Sequence, residues 1–453
     1  MTAPLTFIAT CDLVALTRGR SMRTEDYPKR RAAGVGWVPA DLALTTFGDI
    51  ASPNPFGSLG DLRLVPDDAA RITLPAVAAR PETDVVLARL AEEDGAPWRC
   101  DPRTALVDAL ATLEETGLHL VAAFEQEFTL STAGGVGGAG AGRQPGAGGL
   151  ALQPGAAAPF SLEAHRAVEP FGTELVQALE TQGLAPETWL PEYGDRQYEI
   201  TVGATDGLTA ADRAILVRAL VRDLATAHGL RASFAPLVAP DAVGNGVHVH
   251  LSLWDRAGRP VTLDASGALT PAAGSFAAGV LAHAPAVVGW TAPSAISPLR
   301  FGPHHWSSAA AFLGRQNREA MLRVCPIPTL AEGDALAAAN LEFRACDATA
   351  NPWLVLAVIV RAGVDGIRRG LHAPPVLDGE LDDVPARERE RAGIMPLPAD
   401  LESTLAAVEA DDVACRWFDP DLLATHLAIR RTELDLLRDA SPAERCERYA
   451  RVI

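Results

Sequence analysis

Leu120-Val121-Ala122-Ala123-Phe124-Glu125-Gln126-Glu127-Phe128-Thr129-Leu130 carries the pattern on which the fold turns. On a strand, successive side chains face opposite ways, so Val121, Ala123, Glu125 and Glu127 share one face while Leu120, Ala122, Phe124, Phe128 and Leu130 pack behind it. Two neighbouring carboxylates repel, and one keeps its proton unless a cation neutralises the pair. Alone, the stretch also fits a half-buried strand with a solvated acidic face. Three later segments repeat the apolar back and charged front, which favours a sheet built to hold metal.

The first of these is Glu192-Tyr193-Gly194-Asp195-Arg196-Gln197-Tyr198-Glu199, where Gly194 allows a tight turn that could bring both glutamates to one place. The second, Gly244 to Ser252, puts His248, His250 and Ser252 on one strand face, over Val247, Val249, Leu251 and Leu253. In the third, Leu341-Glu342-Phe343-Arg344, Glu342 and Arg344 stand opposite Leu341 and Phe343. A concave face lined by Glu125, Glu127, Glu192, Glu199, His248 and Glu342 carries about five negative charges, tolerable only with divalent cations. Oxygen-rich ligation with a single imidazole suits Mg2+ or Mn2+ better than zinc. Arg300, Arg318, Arg323 and Arg344 lie in or beside these segments, and arginines facing carboxylate-bound metals suit phosphoryl transfer. Each one singly also fits a surface arginine covering a nearby acid.

Outward from these motifs, residues 4–16 read as a first strand and 34–65 as further short strands, giving a sheet-rich N-terminal domain over 1–100. The spacing predicts a helix over 102–117. Residues 131–159 are Gly, Ala and Pro with little to bury, a flexible loop. Gly135 to Gly140 formally match a dinucleotide fingerprint, but prolines follow where a helix N-terminus is needed, so the match is rejected. Beyond it, helices are expected at 162–181, 209–228, 275–290, 351–370 and through 401–452, with strands at 192–202, 247–253, 320–324 and 341–344. This alternation predicts an α+β catalytic domain over 101–453 around a curved, largely antiparallel sheet.

A formal charge of -18 argues against a nucleic-acid partner, which demands a basic face. Lys29 is the sole lysine and stands in no P-loop, Schiff-base or kinase context, so those classes are excluded. The 6 cysteines are scattered, which suggests reduced thiols in a cytoplasmic setting. There is no leader-like start and no apolar run of about 20 residues, so no membrane partner is expected.

Taken together, these motifs resemble the glutamine synthetase superfamily over nearly the whole chain. Phe124–Phe128 is similar to the family's Glu-x-Glu strand, Glu192–Glu199 to its Glu...Gln-x-Glu segment, and Gly244–Ser252 to Gly-x-Gly-x-His-x-His. Asn317–Arg323 is similar to Asn-Arg-x-Ala-x-x-Arg, and Leu341–Asn351 to Glu-Phe-Arg...Asp...Ala-Asn-Pro. The resemblance implies a small β-grasp-like N-terminal domain and two metals. Glu127, Glu192 and Glu199 would hold one, and Glu125, His248 and Glu342 the other. It places His250, Ser252 and Arg323 at ATP, and Gly244, Arg300, Arg318 and Arg344 at the substrate carboxylate or the transferred phosphoryl group. It also implies a homo-oligomeric ring.

The departures from the family pattern are chemical. Ammonia-using members carry Arg-Leu-x-Pro-Gly-x-Glu-Ala-Pro, whose glutamate binds and deprotonates ammonium; here the run is Arg300-Phe301-Gly302-Pro303-His304-His305-Trp306. A neutral indole cannot take that proton. The family's Asp-Gly-Ser-Ser latch is missing, with Asp49 a weak stand-in, and Asn340 stands where an arginine is usual. These changes predict a γ-glutamyl-amine ligase acting on ATP, glutamate and an organic amine, with Trp306, His304 and His305 shaping the amine pocket. The alternatives are an ordinary glutamine synthetase with a substituted base and a non-catalytic nucleotide-binding member.

Overall fold

A computed structural model describes residues 4–77, 80–132, 158–302, 306–308, 310–327 and 335–453. Its N-terminal part begins with β1 (Leu5–Cys11), β2 (Thr17–Arg23), α1 (Tyr27–Ala33) and β3 (Val35–Trp37), followed by β4 (Leu62–Leu74) and β5 (Thr83–Ala91). These form a sheet in the order β2-β1-β5-β4-β3, parallel between β1 and β5 and antiparallel elsewhere.

Next come α2 (Pro102–Glu115) and the long β6 (Leu118–Thr132). Asp101 caps α2 by accepting from Thr104 N, and Pro102 fills the first turn, where no backbone donor is needed. Then follow α3 (Leu162–Ala167), α4 (Glu169–Thr181), β7 (Pro186–Pro191), β8 (Gln197–Val202), β9 (Thr205–Asp206), α5 (Gly207–Ala227), β10 (Leu230–Ser233) and β11 (Val247–Asp255). After α6 (Pro271–Ala282) and α7 (Ala284–Thr291) the chain adds β12 (Ala310–Arg315), β13 (Ala320–Val324) and β14 (Leu341–Phe343). It continues with α8 (Pro352–Arg368), β15 (Val376–Leu377), α9 (Ala386–Arg391), β16 (Met395–Pro396), α10 (Leu401–Ala410), α11 (Pro420–Leu436) and α12 (Pro442–Ala450).

The second sheet has 11 strands along the path β15-β12-β13-β14-β11-β6-β8-β7, with β9 and β10 on β6 and β16 on β12. It is antiparallel except where β12 meets β13 and β15. Along β6 burial alternates residue by residue: Leu118, Leu120, Ala122, Phe124, Gln126, Phe128 and Leu130 are buried, and the residues between are half-buried or exposed. The buried face packs on α5, in an apolar core continuous with that of the small sheet. Asn351 Nδ2 joins the two parts directly, donating to the carbonyls of Cys11 and Asp12 at 3.0 Å each.

Two expectations are corrected in detail, and one strand was not expected. The strand expected over 192–202 is a hairpin, β7–β8, with Glu192 in the turn and Glu199 opposite Leu190. Gly194 N donates to Gln197 Oε1 at 2.9 Å and Arg196 takes a positive φ, which closes the turn. The helix expected over 162–181 breaks at Val168, because Pro170 lacks the backbone donor that would continue it. The strand β12, which lies between β13 and β15, gave no strand signal, being a short Ala-Gly-containing segment. Most of the 131–159 loop lies outside the described residues, as do His304 and His305. All 6 cysteines are free, and among the described residues no single helix is long and apolar enough to cross a membrane.

Candidate active site

Register on four adjacent strands assembles the site. Against β6, β11 sets His248 opposite Glu125, and β8 sets Glu199 opposite Glu127. On its other side, β11 pairs with β14, His250 standing opposite Glu342. Odd positions of β6 and even positions of β11 thus share a face, as the two-residue period of strands requires.

Two groups of side chains have ligand atoms close enough to hold an ion: Glu125, Glu127, Glu199 and His248, and Glu125, His250 and Glu342. Glu125 belongs to both. Glu192 lies outside the tight groups, yet it feels the charges of Glu127 and Glu125. The grouping differs from the expected ligand sets: Glu192 is absent from the first group, which gains Glu125 and His248, and His250 stands with Glu342, from which His248 lies 3.9 Å away.

The protein's own groups offset part of this charge. His248 Nδ1 lies 2.5 Å from Glu125 Oε1, and His250 Nε2 lies 3.3 Å from Glu125 Oε2. Burial pushes the Glu125 carboxyl up, but the two imidazoles outweigh it and hold it well below the usual range. Burial pushes His250 down; the Cys325 and Glu125 hydrogen bonds lift it well above its ordinary value. Burial followed by repulsion from Glu125 raises Glu199, which shares a hydrogen bond with that carboxylate. Burial first and then Glu127 push Glu192 up to about 7. This donor set, rich in crowded carboxylate oxygen with imidazole at one side, fits a hard divalent cation.

Glu342 is treated differently. Arg323 Nη1 donates to its Oε2 at 2.7 Å and Arg344 Nη1 bonds its Oε1. Burial raises it, but Arg344, His248 and His250 bring it down to about 2. Arg344 also donates to the carbonyls of Arg318, at 2.7 Å, and Trp306, at 2.8 Å. The Arg318 side chain is exposed.

Arg300 is buried, donating to Cys346 O at 2.8 Å, and its Nε has no partner. The neighbouring glycines are there for space. A Cβ on Gly244 would stand 2.5 Å from Arg300 Cγ, and one on Gly246 would stand 2.8 Å from His248 Nε2. Ser252, two residues past His250, accepts from Trp254 Nε1 at 2.9 Å. Asp49 sits exposed in a turn held by Thr45 Oγ1.

Several residues take roles in the site that the sequence did not assign to them. Gln197 Nε2 bonds Glu127 Oε2 at 3.2 Å and Gly244 O at 2.8 Å, joining β8 to the glycine run. Asn340 Oδ1 lies 2.9 Å from His250 Nδ1, fixing that ring's orientation. Tyr193 was passed over as a turn residue. Its ring is 6.2 Å from that of Trp306, and both are exposed, at 58% and 61%. An aromatic two residues from each side of a charged turn was the only available signal.

Comparison with known proteins agrees with this geometry. The model for the glutamine synthetase N-terminal domain matches residues 3–98, and that for the glutamine synthetase catalytic domain matches residues 99–449. The gamma-glutamylpolyamine synthetase GlnA3 of Streptomyces coelicolor is 36% identical over 437 residues, 94% of this chain and 88% of that protein. A glutamine synthetase of Methanocaldococcus jannaschii is 32% identical over 270 residues, 59% of this chain and 58% of the other. The crystal structure of a novel glutamine synthase homolog superposes with a TM-score of 0.88 at 41% identity, covering 100% and 99% of the two chains. A GmaS/ADP complex superposes with a TM-score of 0.78 at 25% identity, covering 97% and 95%. A chain matched end to end by both domains, with the family's acidic strands in register, belongs to the glutamine synthetase family and is an ATP-dependent carbon–nitrogen ligase.

Proposed function

We propose that this enzyme joins the γ-carboxyl of glutamate to a polyamine. A γ-carboxylate oxygen attacks the terminal phosphorus of ATP, releasing ADP and leaving an acyl phosphate. The amine nitrogen then attacks the acyl carbon, the carbon–oxygen bond to phosphate breaks, and the nitrogen loses a proton as the amide forms.

Glu127, Glu192 and Glu199 would hold one divalent cation, Mg2+ or Mn2+, and Glu125, His248 and Glu342 the second, with Glu125 within reach of both. Bound there, the cations would neutralise phosphate charge and orient the transferred group. His250 and Ser252 extend the same face toward the nucleotide. Arg318, Arg323 and Arg344 are the cations available for the transferred phosphoryl group, while Arg300 and Gly244 face the substrate carboxylate. The buried, unpartnered Nε of Arg300 supports that assignment, because an unanswered guanidinium donor is costly without an anion.

The observation that carries the amine assignment is the Tyr193–Trp306 pair. Two exposed rings flank the acidic basin where ammonia-using relatives carry a carboxylate, and an aromatic pair suits the second ammonium of an extended amine. The name of the Streptomyces relative points the same way. His304, in the same run, belongs to this proposed pocket, and the ring assembly of the family to the same proposal.

The test is phosphate release from ATP with glutamate and Mg2+ or Mn2+, comparing ammonium with putrescine, spermidine, ethanolamine and aromatic amines. Faster release with a polyamine than with ammonium is expected. Equal or greater activity with ammonium would overturn the reading.

A further inference from the structure

Away from the acidic basin, a cavity of about 320 Å3 opens between the β1–β2 turn and α5, lined by Ala15, Thr17, Arg18, Arg218, Ala219 and Arg222. Its volume lies within the range of small-molecule sites. In a chain of net charge -18, three guanidiniums gather here.

Their donors are only partly used. Arg18 bonds Asp12, yet its Nη2 is buried with no partner. Buried Arg218 donates through Nε to Gln126 Oε1 at 2.6 Å and through Nη1 to Ala348 O at 3.1 Å, both uncharged acceptors. Arg222 donates through Nη2 to Ile453 O at 2.7 Å. Among the described residues neither Arg218 nor Arg222 forms an ion pair with a carboxylate side chain. Asp12 answers Arg18 and the charge of buried Asp347 reaches Arg218 without a hydrogen bond between them, whereas Arg222 meets only a main-chain oxygen, that of Ile453. Burial, followed by repulsion from Arg218 and Arg231, pushes Arg222 down to about 10. Buried positive charge without a counter-charge is expensive, and arginine forks match carboxylate and phosphate oxygens.

The rim is built in advance. Asp12 Oδ1 accepts from Val14 N at 3.0 Å and Leu16 N at 2.8 Å, folding the turn that brings Arg18 to the cavity. On the inner side, Arg218 holds Gln126, which stands between Glu125 and Glu127 on β6 and also donates to Ala214 O at 3.0 Å.

We propose that this cavity binds a small anion carrying two or more carboxylate or phosphoryl charges, and that its occupancy is felt at the acidic basin through Arg218 and Gln126. The anion takes the unused guanidinium donors and fixes Arg218, which fixes the strand between Glu125 and Glu127. Linkage is reciprocal, so the anion and a divalent cation in the basin each tighten the other's binding.

The test is calorimetric titration of the full chain with inorganic phosphate, succinate and citrate at constant ionic strength, with and without Mn2+, alongside thermal melts. At least one of these anions is expected to bind with a Kd near or below about 1 mM. Phosphate alone would assign a phosphoryl ligand, and succinate or citrate alone a carboxylate ligand. Arg222→Gln weakens binding at least tenfold, and Ala219→Glu, which places a carboxylate in the cavity, abolishes it while raising the melting temperature without ligand. Mn2+ tightens the anion about fivefold, at the low end of common coupling. Binding unaffected by both substitutions, or none tighter than about 10 mM, overturns the site. Binding that Mn2+ leaves unchanged overturns the coupling.

Discussion

Two clusters of buried charge in this protein are answered in opposite ways. At the C-terminal end, Arg430 and Glu433 have side chains wholly out of solvent. Glu433 accepts from Arg430 Nη1 at 3.0 Å, from the Tyr449 hydroxyl at 3.1 Å and from Thr46 N at 2.8 Å. Here one acid meets one base and the protein's own donors answer Glu433, although Arg430 Nε is left without a partner. In the basin of Glu125, Glu127, Glu192 and Glu199 the acids outnumber their partners, so protons and imidazoles stand in for missing positive charge. Matched buried charge holds the fold, and unmatched buried charge waits for a guest.

That contrast is sharpest under substitution. Glu199→Gln is expected to lower ligase turnover more than about 100-fold, beyond the usual loss on disturbing a ligand's surroundings. The same change removes a repelling carboxylate, so metal-free protein melts higher than the parent and Mn2+-loaded protein melts lower. Melts in chelator and in Mn2+ check both signs, and equal shifts in the two would erase the distinction between the clusters. Glu433→Ala, by contrast, leaves Arg430 buried without its counter-charge and costs about 3–5 kcal/mol. Denaturant unfolding reads that loss, while turnover per folded molecule stays near the parent's.

Acidity separates the clusters next. Glu192 is held up to about 7 in the folded protein against 4.5 for an ordinary glutamate. Its folded form therefore binds the proton more tightly, and the stability it contributes is complete below about 4.5 and lost as pH rises through about 7. Metal-free protein is expected to melt progressively lower from pH 5 to pH 8, and Glu192→Gln to flatten part of that slope. Mn2+ removes the slope by keeping the carboxylates ionised. A slope unchanged by Glu192→Gln would assign it elsewhere. The smallest effect belongs to the rim: Trp306→Ala removes one cation–π contact of about 1 kcal/mol, raising KM for a polyamine about fivefold and leaving KM for ammonium unmoved.

Much of this was legible in the chain because strand periodicity is a local property. The alternation along 120–130 named the buried and acidic faces correctly, and the Gly244–Ser252 run put His248 and His250 on the basin side. Inter-strand register was not legible. That His250 stands directly opposite Glu342 is visible only in the pairing of β11 with β14. Arg323 and Arg344 read as loose cations, whereas they grip Glu342, a pairing that depends on β13 lying beside β14. Gln126 carried no signal, since a polar residue on an apolar face is explained only by its distant partner Arg218. The tight turn between Glu192 and Glu199 is legible from Gly194, but its closure is not, because Gly194 N bonds the Gln197 side chain three positions on.

Arg344 grips the rim segment by the main-chain oxygen of residue 306 and not by its side chain. Every amino acid offers that oxygen. The identity of the side chain at 306 is therefore uncoupled from the bond that anchors the segment to Glu342, and chemistry at the rim can change while the anchor stays. A lineage could exchange a proton-accepting carboxylate for an indole in one step, keeping the phosphoryl machinery while choosing a new nucleophile.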